Sequence, residues 1–124
     1  MSALQDCVLI VDDEALIVMG LRAQLEGMGI RVCGSAASAD DAVRLADRFR
    51  PRLVLMDMRL QGDKDGVDAA IAIHDSVGSK VIFVTGSNEP STRRRIEDDH
   101  PAGLLLKPVS DRQLRDAIGA AAPR

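Results

Sequence analysis

"CVLIVDDE" (residues 7–14) runs five apolar residues together and then stops on three carboxylates. A strand with one face in water alternates apolar and polar side chains. A strand buried on both faces, as in a parallel sheet, does not. Three further runs have the same form: "LVLM" (53–56), "VIFV" (81–84) and "LLL" (104–106). All four read as the inside of a sheet. A fifth run, "RVCGS" (31–35), carries a charge and a glycine and suits a sheet edge.

Helical patterns lie between these runs. Ile17, Leu21, Leu25 and Met28 recur at helical spacing, and Gly29 follows as a cap. Ala39, Ala42, Val43 and Ala46 form a second stripe, opened by Ser38 and stopped by Pro51. Val67, Ala70, Ile71 and His74 form a third behind Asp65, and Leu114, Ala117, Ile118 and Ala121 a last one behind Ser110. Strands alternating with helices predict an α/β fold, a doubly wound five-stranded parallel sheet with five helices on its two faces. One link is weak. In "PSTRRRIEDDHP" (90–101) Ile96 is the only large apolar residue. A helix there buries little, so it should be short or mobile.

The 124 residues suit one domain, 1–124, with no output domain. Aromatics are 2% of the chain, without Trp or Tyr, which argues against base-stacking platforms. A net charge of −3 provides no basic field, so neither nucleic acid nor a membrane surface is an expected partner. Cys7 and Cys33 lack zinc-site spacing and read as buried free thiols. No signal peptide is visible, and the 7–11 run is far too short to span a bilayer. The expected location is cytoplasmic.

In an open α/β sheet, ligands bind beyond the carboxyl ends of the strands. Here those ends carry Asp12, Asp13 and Glu14, then Asp57, then Thr85 and Gly86, then Lys107 and Pro108. Carboxylates held close together resist ionising, and Mg²⁺ relieves this while still accepting phosphate oxygens. A carboxylate beside Mg²⁺ can attack phosphorus and become an aspartyl phosphate. Lys107 supplies positive charge, Thr85 a hydroxyl donor, and Gly86 room for a phosphoryl group. The competing reading of the acidic pair is a helix N-cap.

Taken together, "VDDE" (11–14), "LVLMDMRL" (53–60), "DG" (65–66), "VTG" (84–86) and "KP" (107–108) resemble a response-regulator receiver domain over essentially the whole chain. The resemblance implies a flavodoxin-like sheet in the order 2-1-3-4-5 and a cis bond before Pro108. It implies Asp57 as phosphoacceptor. Mg²⁺ would be held by Asp12, Asp13, Asp57 and the backbone carbonyl of Arg59, with Thr85 and Lys107 on the phosphoryl group. It further implies a histidine kinase or phosphotransfer protein as donor, and a protein as downstream partner.

The sequence departs from the family where many receivers carry an aromatic residue three positions before the lysine. Leu104 stands there instead. With "FVTGSN" (83–88), Leu104 is similar to the FATGUY subgroup of single-domain receivers, several of which work with HWE-type kinases. The subgroup implies a switch built on the 86–101 segment. Arg59 and Ser87, two positions beyond Asp57 and Thr85, are expected to modify phosphate lifetime. In "RLQGDKDG" (59–66), Asp63, Lys64 and Asp65 read as a turn and an N-cap rather than a Ca²⁺ loop. "RRR" (93–95) reads as a solvated face, and His74 and His100 as structural or surface residues.

The leading expectation is a stand-alone phosphorylation switch that binds a protein partner or relays the phosphate, not an enzyme with turnover. One rival is a receiver belonging to a longer DNA-binding regulator. Another is a Mg²⁺-dependent phosphohydrolase, which would need an acid where Arg59 stands.

Overall fold

A computed structural model describes residues 3–86 and 89–121. Strands β1 (Gln5–Val11), β2 (Val32–Ala36), β3 (Pro51–Met56), β4 (Lys80–Thr85) and β5 (Gly103–Leu106) alternate with helices α1 (Ala15–Gly27), α2 (Ala39–Phe49), α3 (Gly66–Ser76), α4 (Pro90–Glu97) and α5 (Asp111–Ala121). All strand pairs are parallel, in the order β2-β1-β3-β4-β5. Strand order therefore reverses between β1 and β3, which is where a doubly wound sheet opens a crevice.

The continuous apolar runs have a direct cause. Leu9, Val11, Val54, Met56, Val81 and Phe83 point to one face, against α2, α3 and Ile96 of α4. Val8, Ile10, Leu53, Leu55, Ile82 and Val84 point to the other, against Leu21, Leu25 and Leu114. Both faces are covered along Cys7–Val11, Leu53–Met56 and Val81–Val84, so a polar side chain within those stretches would bury an unpaired group.

Local capping chemistry sets the helix limits. Ser38 Oγ accepts from the Asp41 N–H at 3.2 Å to open α2. Asp65 and Asp68 form a reciprocal box at the start of α3, with bonds of 3.0 and 2.9 Å. Ser110 and Gln113 do the same before α5. Gly29 takes a φ of 79° just beyond α1, a conformation open to glycine without strain.

Three expectations change. The leucines of β5 are not interior: Leu104 and Leu105 are half-buried and Leu106 is 40% exposed, because β5 is an edge strand. The buried face of α3 is Val67, Ala69, Ala70 and Ile73, while Ile71 is 44% exposed and His74 half-buried. The helix is apolar almost all round, so its sequence leaves the rotation open. Cys33 is only half-buried, unlike Cys7.

The fourth helix is short, as expected, and only Ile96 of its eight residues is buried. Its arginines are not simply solvated. Arg95 holds both Asp65 oxygens, at 2.8 and 3.1 Å, and Asp68 at 3.0 Å. His74 Nδ1 lies 2.9 Å from Asp99 Oδ2 just beyond α4, close enough for an ion pair only when the imidazole is protonated. In the preceding loop, Lys64 pairs with Asp40 and Asp65 caps α3, so this stretch is a turn and a cap.

Candidate functional site

The apolar runs of β1 and β3 end at Asp12 and Asp57. These neighbours across the switch point are only 4% and 6% exposed. Asp57 N–H donates to the Val11 carbonyl at 2.8 Å, which extends the β1–β3 ladder one residue past the strands. The two carboxylates are thus held by main chain, not by side-chain choice.

Asp13 completes a cluster. Asp12, Asp13 and Asp57 each offer an oxygen within 4.8 Å of the others. Asp12 Oδ1 also accepts from the Glu14 N–H at 2.9 Å, so it satisfies the start of α1 as well. The N-cap of α1 is Glu14, without a side-chain cap, so Asp12 and Asp13 are not the N-cap; Asp12 braces the main chain just before the helix.

Lys107 enters from the end of β5. Its main-chain N–H donates to the Thr85 carbonyl at 2.9 Å, and the bond to Pro108 is cis. The ammonium donates to Asp12 Oδ2 at 2.7 Å and lies 3.4 Å from Asp57 Oδ2 and 3.9 Å from Glu14. Its shorter contact is thus to Asp12, not to Asp57. Asp12 is the deeper carboxylate and cannot be left unpaired.

Burial pushes the Asp57 carboxyl above the ordinary range; Asp12 adds to this, and Lys107 opposes it. For Lys107, burial works against the charge. The hydrogen bond to Asp12 and the charge of Asp57 outweigh it, so its pKa is raised and it stays an ammonium. The site thus holds negative charge that one lysine does not fully offset.

The rim opens into a cavity of about 620 Å³ lined by Asp13, Glu14, Asp57, Arg59, Thr85, Gly86, Glu89 and Lys107. Thr85 is buried at its wall. A Cβ built on Gly86 would meet nothing within 4 Å, so the space expected there exists. Leu104 sits opposite Phe83 in the β4–β5 register, half-buried against the α2–α3 side. Ser87 lies outside the described residues.

Two contributors escaped sequence reasoning. Glu89 reaches the cavity from the N-cap position of α4, and its only signal is the Pro90 that follows. Gly66 is the second. A Cβ there would overlap the carbonyl oxygen of Asp57, and the Gly66 N–H donates to Met58 at 2.8 Å. The first turn of α3 can rest on the Asp57 main chain only because residue 66 has no side chain. The "DG" pair belongs to the receiver resemblance and Asp65 to the cap, but neither points to the contact between Gly66 and the Asp57 main chain.

A sequence model of the response regulator receiver domain matches residues 8–119, and the chain belongs to that family. It is 35% identical over 117 residues to the transcriptional regulatory protein PdtaR of Mycobacterium tuberculosis, covering 94% of this chain and 57% of PdtaR. It is also 35% identical over 115 residues to the phyllosphere-induced regulator PhyR of Methylorubrum extorquens, covering 92% and 42%. The chain thus spans about half the length of the curated relatives it matches. Among solved structures, the signal receiver domain of a modulated diguanylate cyclase from Desulfovibrio desulfuricans superposes with a TM-score of 0.87 at 38% identity, over 92% of this chain and 90% of that one. A CheY-like receiver domain from Methanospirillum hungatei gives 0.82 at 28% identity, over 94% and 92%. No helix among the described residues is long and apolar enough to cross a membrane.

Proposed function

We propose that this receiver is a phosphorylation switch in which Asp57 accepts a phosphoryl group from a phosphohistidine on a histidine kinase, of HWE type by subgroup resemblance, or on a phosphotransfer protein. The observation that carries this reading is the convergence of Asp12, Asp13, Asp57 and Lys107 on one cavity at the topological switch point. An Asp57 oxygen attacks phosphorus in line. The P–N bond breaks, and its electron pair leaves with the donor imidazole, which takes a proton.

The donor set fits Mg²⁺. It consists of hard oxygens and is close enough for one ion, and burial together with the charge of Asp12 raises the pKa of Asp57. Asp12, Asp13 and Asp57 would hold the ion with the Arg59 carbonyl, and it would supply charge neutralisation for the transferring oxygens. Lys107, freed in part from Asp12, pairs with the phosphoryl group, and Thr85 donates its hydroxyl. Gly86 leaves the approach open, and Arg59 and Ser87 modify hydrolysis from its flanks. With Leu104 in place of an aromatic, the change passes to residues 86–101. The chemistry is on the protein itself, the receptor of the signal is another protein in the cytoplasm, and nucleic acid is not the direct partner.

The test is incubation with acetyl phosphate and Mg²⁺, read by intact mass. Wild type should gain one phosphoryl group and Asp57→Asn none. An unchanged wild-type mass, or equal gain on the variant, defeats the assignment.

A stand-alone switch, one receiver domain without output domain, is the first reading. The coverage of relatives favours a second, a receiver serving as one part of a longer regulator. The stop codon of the gene distinguishes the two.

A further inference from the structure

The amino end of the sheet holds a second concavity, remote from the carboxylate rim. It measures about 500 Å³ and lies where β1 and β2 begin and α2 hands over to β3. Three arginines line it: Arg31 just before β2, Arg48 in the last turn of α2, and Arg50 at its C-cap. No acidic residue lines it. Among the described residues, no carboxylate lies within ion-pairing distance of any of the three. In a chain of net charge −3, three unpaired guanidiniums around one concavity are an unbalanced local charge.

Arg50 is the sharpest feature. Its Nε is buried without a hydrogen-bond partner. Its backbone is left-handed, with φ 49° and ψ 56°, uncommon outside glycine, asparagine and aspartate. That conformation is held from both sides. The Arg50 N–H donates to Ala46 at 2.8 Å, and its carbonyl accepts from the Gln5 N–H at 2.7 Å. The backbone from which the guanidinium projects is therefore fixed. Beside it, the Arg48 guanidinium lies 5.4 Å from the centre of the Phe49 ring.

Two cysteines also line the cavity, and their chemistry narrows the choice of ligand. Burial and the neighbouring Cys7 push the Cys33 thiol up to about 12, despite Arg31 nearby. A thiol so far from its thiolate is neither a reactive nucleophile nor a ready ligand for soft metals. What the concavity offers is cationic forks, which match phosphate oxygens in pairs.

We propose that this concavity is a binding site for a small ligand carrying two or more phosphate groups. Arg50 reaches the ligand from the floor and Arg31 and Arg48 from the rim. The site is independent of phosphorylation at the opposite end of the sheet.

The test is titration of the full chain with sodium pyrophosphate, without divalent cations, followed by amide chemical shifts. Saturable shifts are expected at Arg31, Cys33, Phe49 and Arg50, with affinity weakening as salt rises. Arg50→Gln should weaken binding by about tenfold or more, the loss of a charge-assisted contact. Arg48→Gln, on an exposed helix surface, should weaken it too even if position 50 tolerates no change. Arg44→Gln should bind as wild type, since Arg44 pairs with Asp41 and does not line the cavity. Three results would overturn the proposal: no saturation in the millimolar range, shifts centred on Asp12, Asp57 and Lys107, or equal weakening by Arg44→Gln. Tighter binding of hexaglutamate than of pyrophosphate would likewise exclude a phosphate ligand.

Discussion

Helices α3 and α4 both follow a strand that ends in a site residue, yet they are attached by different physics. α3 buries five residues, starts in a reciprocal cap, and seats Gly66 on the Asp57 main chain. α4 buries Ile96 alone, has no side-chain cap at Glu89, and is tied to α3 through Arg95. Apolar attachment is insensitive to salt and resists small changes. Polar attachment across a half-exposed surface is weak and adjustable. The element beside Asp57 is fixed, and the element beside Thr85 is the one a modest free energy can shift.

The largest expected effect comes from Gly66→Ala. Overlap with a backbone carbonyl has no flexible side chain to absorb it, so destabilisation of about 3 kcal/mol or more is expected in urea unfolding. A cost below about 1 kcal/mol would show that α3 can shift off Asp57, against the rigid half of the contrast.

Ile96→Ala removes the apolar anchor of α4. Its cost should be about 2 kcal/mol, at the low end for a buried isoleucine because α4 can open locally. Hydrogen exchange should show lost protection over residues 90–97 while α3 stays protected. Equal loss in both helices would mean that they form one cooperative unit.

Arg95→Ala should cost about 1 kcal/mol or less, given its partial exposure. The effect should shrink with added salt. Its pH dependence has a definite sign. Burial raises the Asp65 pKa, but the Arg95 hydrogen bond and the helix cap outweigh it and leave the carboxyl below its ordinary value of 3.8. A lowered carboxylate pKa contributes stability above the unfolded value and loses it as pH falls through the folded one. The difference between wild type and Arg95→Ala should therefore hold at neutral pH and close below about pH 4. A difference that persists in acid would assign the role of Arg95 to its alkyl contacts.

Most of the site was legible because strand ends are legible. An apolar run that stops at Asp57, Thr85 or Lys107 marks both the end of a strand and the rim of the sheet. The contact between Lys107 and Asp12 was not, since it depends on which carboxylate is deeper. Nor was the rotation of α3, whose apolar residues surround the helix and leave the buried stripe undetermined. The exposure of Leu106 follows from the edge position of β5, and "LLL" reads alike at an edge or a centre.

The sequence by itself determined the order of elements, the parallel sheet, the caps at Ser38, Asp65 and Ser110, and the residue types at the carboxyl rim. These follow from local periodicity and from groups a few positions apart. Only the tertiary structure decided that Arg95 spans to Asp65 and Asp68, that Gly66 underlies Asp57, and that Arg31, Arg48 and Arg50 face one concavity. Those relations join residues brought together by strand order and helix docking, and no local pattern encodes such distances.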